Sequence, residues 1–333
     1  MPSARNDMVW IPGGSFRMGS DLHYPEEGPA HEVEVSGFWM DACPLTNVQF
    51  AAFVEATGHT TFAERAPEFA DYPDAPSEAL VAGSLVFVPP GDTVDLDDWR
   101  RRPSEMETLG PPWGRWWAFV AGADWRHPRG PDSSIARLGD HPVVHVAVDD
   151  ALAYARWCGK NLPTEAEFEF AARSGLDQAE FAWGDDLAPH GKVLANYWLG
   201  AFPHDSRSPH GGSGTSPVHA YPPNRYGAYD LIGNVWEWTA DWYSAHATPL
   251  SCCGGPHNPR GGSREHSVDL FAPGPSTPRR VIKGGSHLCA PEYCARYRPA
   301  ARLAQPIDTT TCHVGFRCVV REEGPQWPIA PST

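Results

Sequence analysis

The 333 residues are 41% hydrophobic and 11% aromatic, with 14 Trp, which excludes a disordered chain and supplies apolar surface for a large core. Gly (32) and Pro (35) are frequent enough to break up long helices, so short elements joined by ordered loop are expected. A formal net charge of −15 argues against a nucleic-acid partner, which requires Lys and Arg in excess on one face.

No apolar run reaches membrane-spanning length, and the opening MPSARNDMVWIPGG lacks the apolar stretch of a signal peptide, so no membrane association and a cytoplasmic location are expected. Cytosolic cysteines are more often ligands or nucleophiles than staples. That makes the eight cysteines (Cys43, Cys158, Cys252, Cys253, Cys289, Cys294, Cys312, Cys318) informative.

In chain order, MVWIPGGSFRMGS reads as a strand and a Gly turn, and HEVEVSGFWM alternates through His31, Val33 and Val35 like a half-buried strand. Thr46 with Gln49 forms a capping box ahead of the apolar run Phe50 to Val54, and Gly58 supplies a stop. Residues 66–116 carry Pro, Asp and Trp with no sustained period and read as a long ordered insertion. Asp149 is the expected cap of DALAYARWC, with Gly159 after it. Thr164 with Glu167 boxes EAEFEFAARSG, where Gly175 ends the pattern. Residues 244–278 are loop by composition, and HVGFRCVV, alternating at Val314, Phe316, Cys318 and Val320, reads as a closing strand. No repeat, heptad or linker divides the chain. One irregular α+β domain is expected, with its core at about 8–321 and a tail at 322–333.

The stretch RRVIKGGSHLCAPEYCARYRPAAR carries Arg279, Arg280, Lys283, Arg296, Arg298 and Arg302 against one acid, Glu292. Thiols beside such charge are biased toward thiolate, the form that binds metals. Cys289 and Cys294 are five apart, and Gly284, Gly285 and Pro291 oppose a helix, so only a turn brings their sulfurs together. Two thiolates are too few for structural zinc, whereas soft sulfur donors suit copper(I). Spacing alone leaves a local disulfide or two unpaired core cysteines open.

HPVVHVAVDDALAYARWCGKNLPTEAEFEFAARSG, GNVWEW, GGSHLCAPEYCARYRPAAR and HVGFRC resemble the formylglycine-generating enzyme family, or sulfatase-modifying factors, from about Met8 to Val320. LPTEAE, GNVWEW and GFRC mark the wider superfamily, while the paired cysteines of GGSxxCxxxYCxRYRxAAR are specific to its oxidases. The resemblance implies the family's variant of the C-type lectin fold, with little regular secondary structure. It implies an unfolded sulfatase segment bearing Cys-x-Pro-x-Arg as substrate and molecular oxygen as oxidant. Copper(I) would lie between Cys289 and Cys294, with the substrate cysteine as a third sulfur ligand. Loss of a hydrogen from the substrate β-carbon and hydrolysis of the thioaldehyde would leave the aldehyde.

The residues matching the family's oxygen pocket are Ser286, Trp236 and Tyr293; Arg296 and Arg302 match positions near it, and Trp125 matches an aromatic bordering the peptide groove. Core packing is the competing role for the three aromatics, and a structural ion pair for Arg296. The resemblance also implies calcium held by the Asp230 and Glu237 carboxylates and the Gly233 and Val235 carbonyls. A second calcium position corresponds to Asn196 and the Tyr197 carbonyl, but its acid is replaced by His210, with Asp205 five residues earlier. His141 and His145 belong to a stretch this superfamily packs into its core, which favours structural histidines over a metal pair. Positions holding disulfide cysteines in some relatives are Ala155, Ala172 and Pro299 here, as suits a reducing compartment. Cys252 and Cys253, adjacent in a Gly/Pro-rich loop, are expected as exposed thiols or a vicinal disulfide.

Two alternatives compete. A non-haem iron oxygenase of the sulfoxide synthase kind carries an extra N-terminal helical bundle bearing iron-binding histidines, for which a fold beginning by Val9 leaves no room. A non-catalytic C-type-lectin-like binding module needs no paired cysteines.

Overall fold

The structure, a computed structural model, describes residues 7–69, 72, 80–91, 112–210, 214–246, 255–269 and 277–321. The first half contains strands β1 (Met8–Ile11), β2 (Gly14–Met18), β3 (His31–Val35) and β4 (Phe38–Asp41), helix α1 (Asn47–Thr57), and strands β5 (Gly83–Phe87) and β6 (Trp117–Ala121). Helices α2 (Val148–Trp157) and α3 (Glu165–Arg173) follow, then β7 (Trp236–Trp242), β8 (Arg279–Lys283), β9 (Arg302–Pro306), β10 (Val314–Gly315) and β11 (Val319–Val320). The architecture is α+β with little regular secondary structure. Among the described residues no helix is long and apolar enough to cross a membrane.

The helix ends follow from side-chain chemistry. In α1, Thr46 Oγ1 accepts from the Gln49 amide while Gln49 Oε1 accepts from the Thr46 amide at 2.9 Å, and Gly58 closes the helix at φ 68°. Thr164 and Glu167 form the same box on α3 at 3.0 and 2.7 Å; Ser174 (φ 44°) and Gly175 (φ 81°) terminate it. The cap of α2 differs from expectation. The helix starts at Val148, and Asp150, not the exposed Asp149, takes the Ala147 amide at 2.9 Å.

Strands β1, β4 and β11 form an antiparallel sheet, and β10-β7-β8-β9 a second, in which only the β10–β7 pairing is parallel. β2 pairs with β3 and β5 with β6. Two expectations fail here. HVGFRCVV is not one strand: β10 joins the sheet of β7 and β11 that of β4. Every residue from Val314 to Val320 is buried, so alternation there reported no exposed face. The supposed insertion 66–116 contains β5, and residues 92–111 lie outside the described set.

Helix α3 packs on β8, β2, β3 and β7 and is buried along its whole length. Its acids are therefore paired, as the cost of burying a charge demands. Glu169 meets Lys283 at 2.9 Å and Arg173 at 2.7 Å, and Glu165 meets Arg302 at 2.6 Å. The main apolar core includes Phe38, Met40, Phe50, Trp236, Ile282 and Phe316, and a smaller aromatic cluster gathers Phe87, Trp116, Trp198 and Phe202. The loop 284–301 between β8 and β9 runs where the two meet.

Candidate active site

β8 ends at Lys283, and Gly284 (φ 96°) and Gly285 (φ 73°) turn the chain away from the sheet. A Cβ at residue 285 would lie 2.5 Å from the Arg296 carbonyl oxygen, so glycine permits the two ends of the loop to touch. Two consecutive turns follow. The Cys289 amide donates to Ser286 O at 3.0 Å and the Cys294 amide to Ala290 O at 2.9 Å. They bring Cys294 Sγ to 3.1 Å from Cys289 Sγ, both as free thiols. Spacing required a turn, and a turn is present. Cys289 is buried and its carbonyl accepts from the Trp198 amide at 2.9 Å; Cys294 is half-buried.

The two sulfurs are electrostatically unequal. Burial pushes the Cys289 thiol up, but the hydrogen bond from Cys294, the Ser286 backbone and the Arg296 charge outweigh it and hold Cys289 below its ordinary value. Cys294 is held well above its ordinary value by that hydrogen bond to Cys289 and then by burial. Of the two, Cys289 is the sulfur whose ionisation the surroundings favour.

The turn residues bridge both cores. Cys289 belongs to the main core, as does Trp236, with Cys294 packed against it. Leu288 and Ala290 join the aromatic cluster, with Tyr293 packed on it. Tyr293 stacks on Phe202 (centroids 4.4 Å, planes 3° apart) and meets Trp116 edge-on at 5.2 Å. Burial raises its phenol. Ser286 is fully buried, its Oγ accepting from the Leu288 amide at 3.2 Å. Trp116, Trp198 and Phe202 were not singled out from sequence, since only tertiary packing brings them to the turn.

Arg296 stands beside the pair, 2.5 Å from Glu26. Arg302 and Trp125 are placed differently from the expectation of a substrate groove. Arg302 is 1% exposed and clamped by both Glu165 oxygens at 2.6 and 2.8 Å. Trp125 is 2% exposed and packs edge-on to Phe50 at 5.1 Å in the main core. Arg302 is satisfied from inside, whereas the buried Trp125 indole N–H has no hydrogen-bond partner.

Among the described residues no three His, Cys, Asp or Glu side chains cluster closely enough to hold a metal ion. A soft ion would therefore rest on the two thiols, whose chemistry suits copper(I). The two sulfurs are in hydrogen-bond contact at 3.1 Å, so an ion held by both would take the place of that hydrogen bond. For a hard cation, Asp230 is the fitting group. It is 8% exposed, neither carboxylate oxygen has a hydrogen bond of good geometry, and burial pushes it up to about 7 despite the Arg317 charge and the Asn234 side chain nearby. Glu237 accepts from Arg317 Nε and Nη2, each at 2.8 Å. Gly233 (φ 79°) and the buried Val235 lie between the two acids.

The second expected calcium set does not fit a cation. Asn196 Oδ1 accepts from Ser208 Oγ at 2.7 Å, its amide donates to Gly214 O at 3.1 Å, and its carbonyl accepts from the Asn234 amide. Tyr197 stacks on Tyr297 at 4.5 Å, His210 faces Tyr221, and Asp205 pairs with Arg207 at 2.7 Å. His145 is structural as expected, bonded to Ser84 Oγ at 2.7 Å and Pro128 O at 3.0 Å; His141 meets Thr215 Oγ1 at 2.9 Å. Cys158 and Cys318 are a second pair of neighbouring free thiols that sequence did not reveal, with Cys158 Sγ donating to Ala155 O at 3.5 Å. Cys43 lies 3.4 Å from His219, and Cys312 Sγ accepts from the Phe87 amide. Cys252 and Cys253 fall outside the described residues.

The family model described as "Sulfatase-modifying factor enzyme 1-like domain" matches residues 2–322. A Mycobacterium tuberculosis protein named formylglycine-generating enzyme is 48% identical, over 94% of this chain and 97% of that protein. A Bos taurus protein named inactive C-alpha-formylglycine-generating enzyme 2 is 35% identical, over 94% and 87%. Among solved structures, PvdO from Pseudomonas aeruginosa superposes with a TM-score of 0.56 at 23% identity, covering 95% of this chain and 96% of that one, which shows the shared fold.

Proposed function

The chain belongs to the formylglycine-generating enzyme family, and on that footing we propose that it oxidises the cysteine of a Cys-x-Pro-x-Arg segment in an unfolded sulfatase to formylglycine, with one copper(I) ion and molecular oxygen. Family membership supports cysteine-to-formylglycine conversion in sulfatases, but a relative named inactive is 35% identical, so membership alone is insufficient. The observation that carries the reading is the pair of free thiols 3.1 Å apart at the junction of two apolar clusters. A lectin-like binding module needs no such pair.

Cys289 and Cys294 are the residues that would hold the copper, which supplies the centre at which oxygen is reduced as the substrate β-carbon is oxidised. The rest falls to the protein. Ionisation of Cys289 is the easier of the two, because Cys294 donates to it and Arg296 stands nearby. Half-buried Cys294 marks the side from which a peptide thiol approaches. Trp236, Phe202 and Trp116 exclude water, which strengthens every charge interaction inside. Ser286 and Tyr293 place hydroxyls on the turn that carries the thiols and are proposed to orient the reacting groups. Calcium is proposed at Asp230, where a divalent ion would offset a buried carboxylate that has no hydrogen bond of good geometry. A reducing compartment such as the cytoplasm would keep the thiols available.

The test is turnover. Copper-loaded protein is incubated in air with a Cys-x-Pro-x-Arg peptide and the product read by mass spectrometry, with an oxygen-free control. Aldehyde formed only in air supports the reading, whereas a peptide left as free thiol rejects it.

A further inference from the structure

The amide immediately after Cys294 is held by a residue from the far end of the chain. Ala295 N–H donates to Tyr24 Oη at 3.2 Å across 271 positions. The Arg296 guanidinium lies over the Tyr24 ring at 3.8 Å and donates to Glu26 Oε1 at 2.5 Å. The Arg296 amide in turn donates to Cys294 O at 2.7 Å. Deeper, Arg298 is held by both Glu27 oxygens at 2.8 and 2.5 Å, and its Nε donates to Ala295 O at 2.7 Å. Residue 295, next to the second thiol, is thereby gripped at its amide by Tyr24 and at its carbonyl by Arg298.

The two arginines differ in kind. Arg298 and Glu27 are 2% and 0% exposed, a rivet between segments, while Arg296 and Glu26 remain 18% and 22% exposed. The second pair thus lies closer to solvent than the first. Arg296 also carries a buried Nε with no hydrogen-bond partner, a costly arrangement in a purely structural residue. Its charge, moreover, is within reach of both sulfurs.

We propose that Tyr24 and Glu26 are positioning residues for the thiol pair: the ring and carboxylate fix the Arg296 guanidinium, and the phenol oxygen fixes the 295 amide, so that the backbone carrying Cys294 is held in place beside Cys289. The inference rests on the reading of that pair as the copper-holding site. Groups that orient a ligand rather than touch the metal typically alter affinity by about 10- to 100-fold when removed.

Three variants separate the contacts. Tyr24→Phe keeps the ring under Arg296 and deletes the oxygen, Tyr24→Leu deletes both, and Glu26→Gln removes the charge. Copper(I) affinity is measured by competition with a chromophoric chelator, kcat and KM with the peptide, and the melting temperature in parallel. Tyr24→Leu and Glu26→Gln are expected to weaken copper(I) binding about tenfold and lower kcat with KM within about twofold, with Tyr24→Phe intermediate. Unchanged affinity in both would overturn the proposal. So would a loss confined to Tyr24→Leu with a matching fall in melting temperature, since that is simple unpacking. A copper-independent readout separates this inference from the functional reading: iodoacetamide labelling of the metal-free protein, followed by peptide mapping. The proposal requires Glu26→Gln and Tyr24→Phe to change the Cys294 labelling rate at least about threefold while Cys43 is unaffected. Equal rates in wild type and variants refute it, whatever becomes of turnover.

Discussion

Replacing His145 by Gln tests whether the buried histidines are structural, and the expected size of the effect follows from its environment. His145 is fully buried, with Nε2 donating to Pro128 O and Nδ1 accepting from the Ser84 hydroxyl. Burial pushes it from 6.5 down to about 4, against the opposing influence of the Pro128 hydrogen bond and Asp124. Between those values the unfolded chain binds the proton and the folded one does not, so stability rises with pH through that window and is lost as pH falls toward 4. The gap corresponds to roughly 3 kcal/mol in all, or about 1 kcal/mol per pH unit at mid-window. Gln can donate to Pro128 O and accept from Ser84 while staying neutral. His145→Gln should therefore cost about 1–2 kcal/mol at pH 7.5 through imperfect geometry, yet lose that share of the acid sensitivity. The assay is urea denaturation by tryptophan fluorescence at pH 7.5, 6.5, 5.5 and 4.5. Parallel pH profiles for variant and wild type would refute the argument. Stabilisation of wild type by an added transition metal, absent from the variant, would make His145 a ligand instead.

Cys289→Ser and Cys294→Ser should each abolish turnover and lower copper(I) affinity by orders of magnitude, whereas Cys158→Ser, whose sulfur donates to Ala155 O at the edge of the main core, should be far milder; near-normal turnover in either ligand variant rejects the assignment. Ser286→Ala and Trp236→Phe should slow turnover with copper saturated and melting little changed, while equal losses of stability and activity would indicate core packing. Asp230→Ala should abolish any calcium dependence of the melting temperature, and Asn196→Ala should leave it intact. Elemental analysis should find one tightly held calcium per chain, and two, one of them lost in Asn196→Ala, would show that Ser208 does not displace the second ion.

Features set by local chemistry were readable in advance. Capping boxes at Thr46 and Thr164, the alternation of Val33 and Val35, and the turn demanded between Cys289 and Cys294 all depend on neighbours in sequence. Features set by burial on every side were not. Val314 to Val320 has no solvent face, so its period could not report where one strand ends and another begins. Trp125 and Arg302 show the same limit, because residue type does not distinguish a groove wall from a core partner such as Phe50 or Glu165. Tyr24 and Glu26 lie in HYPEEGP, which carries no period, and their importance rests on contacts 270 positions away. The Tyr293–Phe202 stack was hidden for the same reason.

The most direct test of the central claim is a titration of metal-free protein with copper(I), following aldehyde formation on a Cys-x-Pro-x-Arg peptide in air. The account predicts a rate that climbs linearly and stops at one copper per chain, with none in Cys294→Ser at any ratio. Full turnover with a strong copper(I) chelator in excess would contradict it.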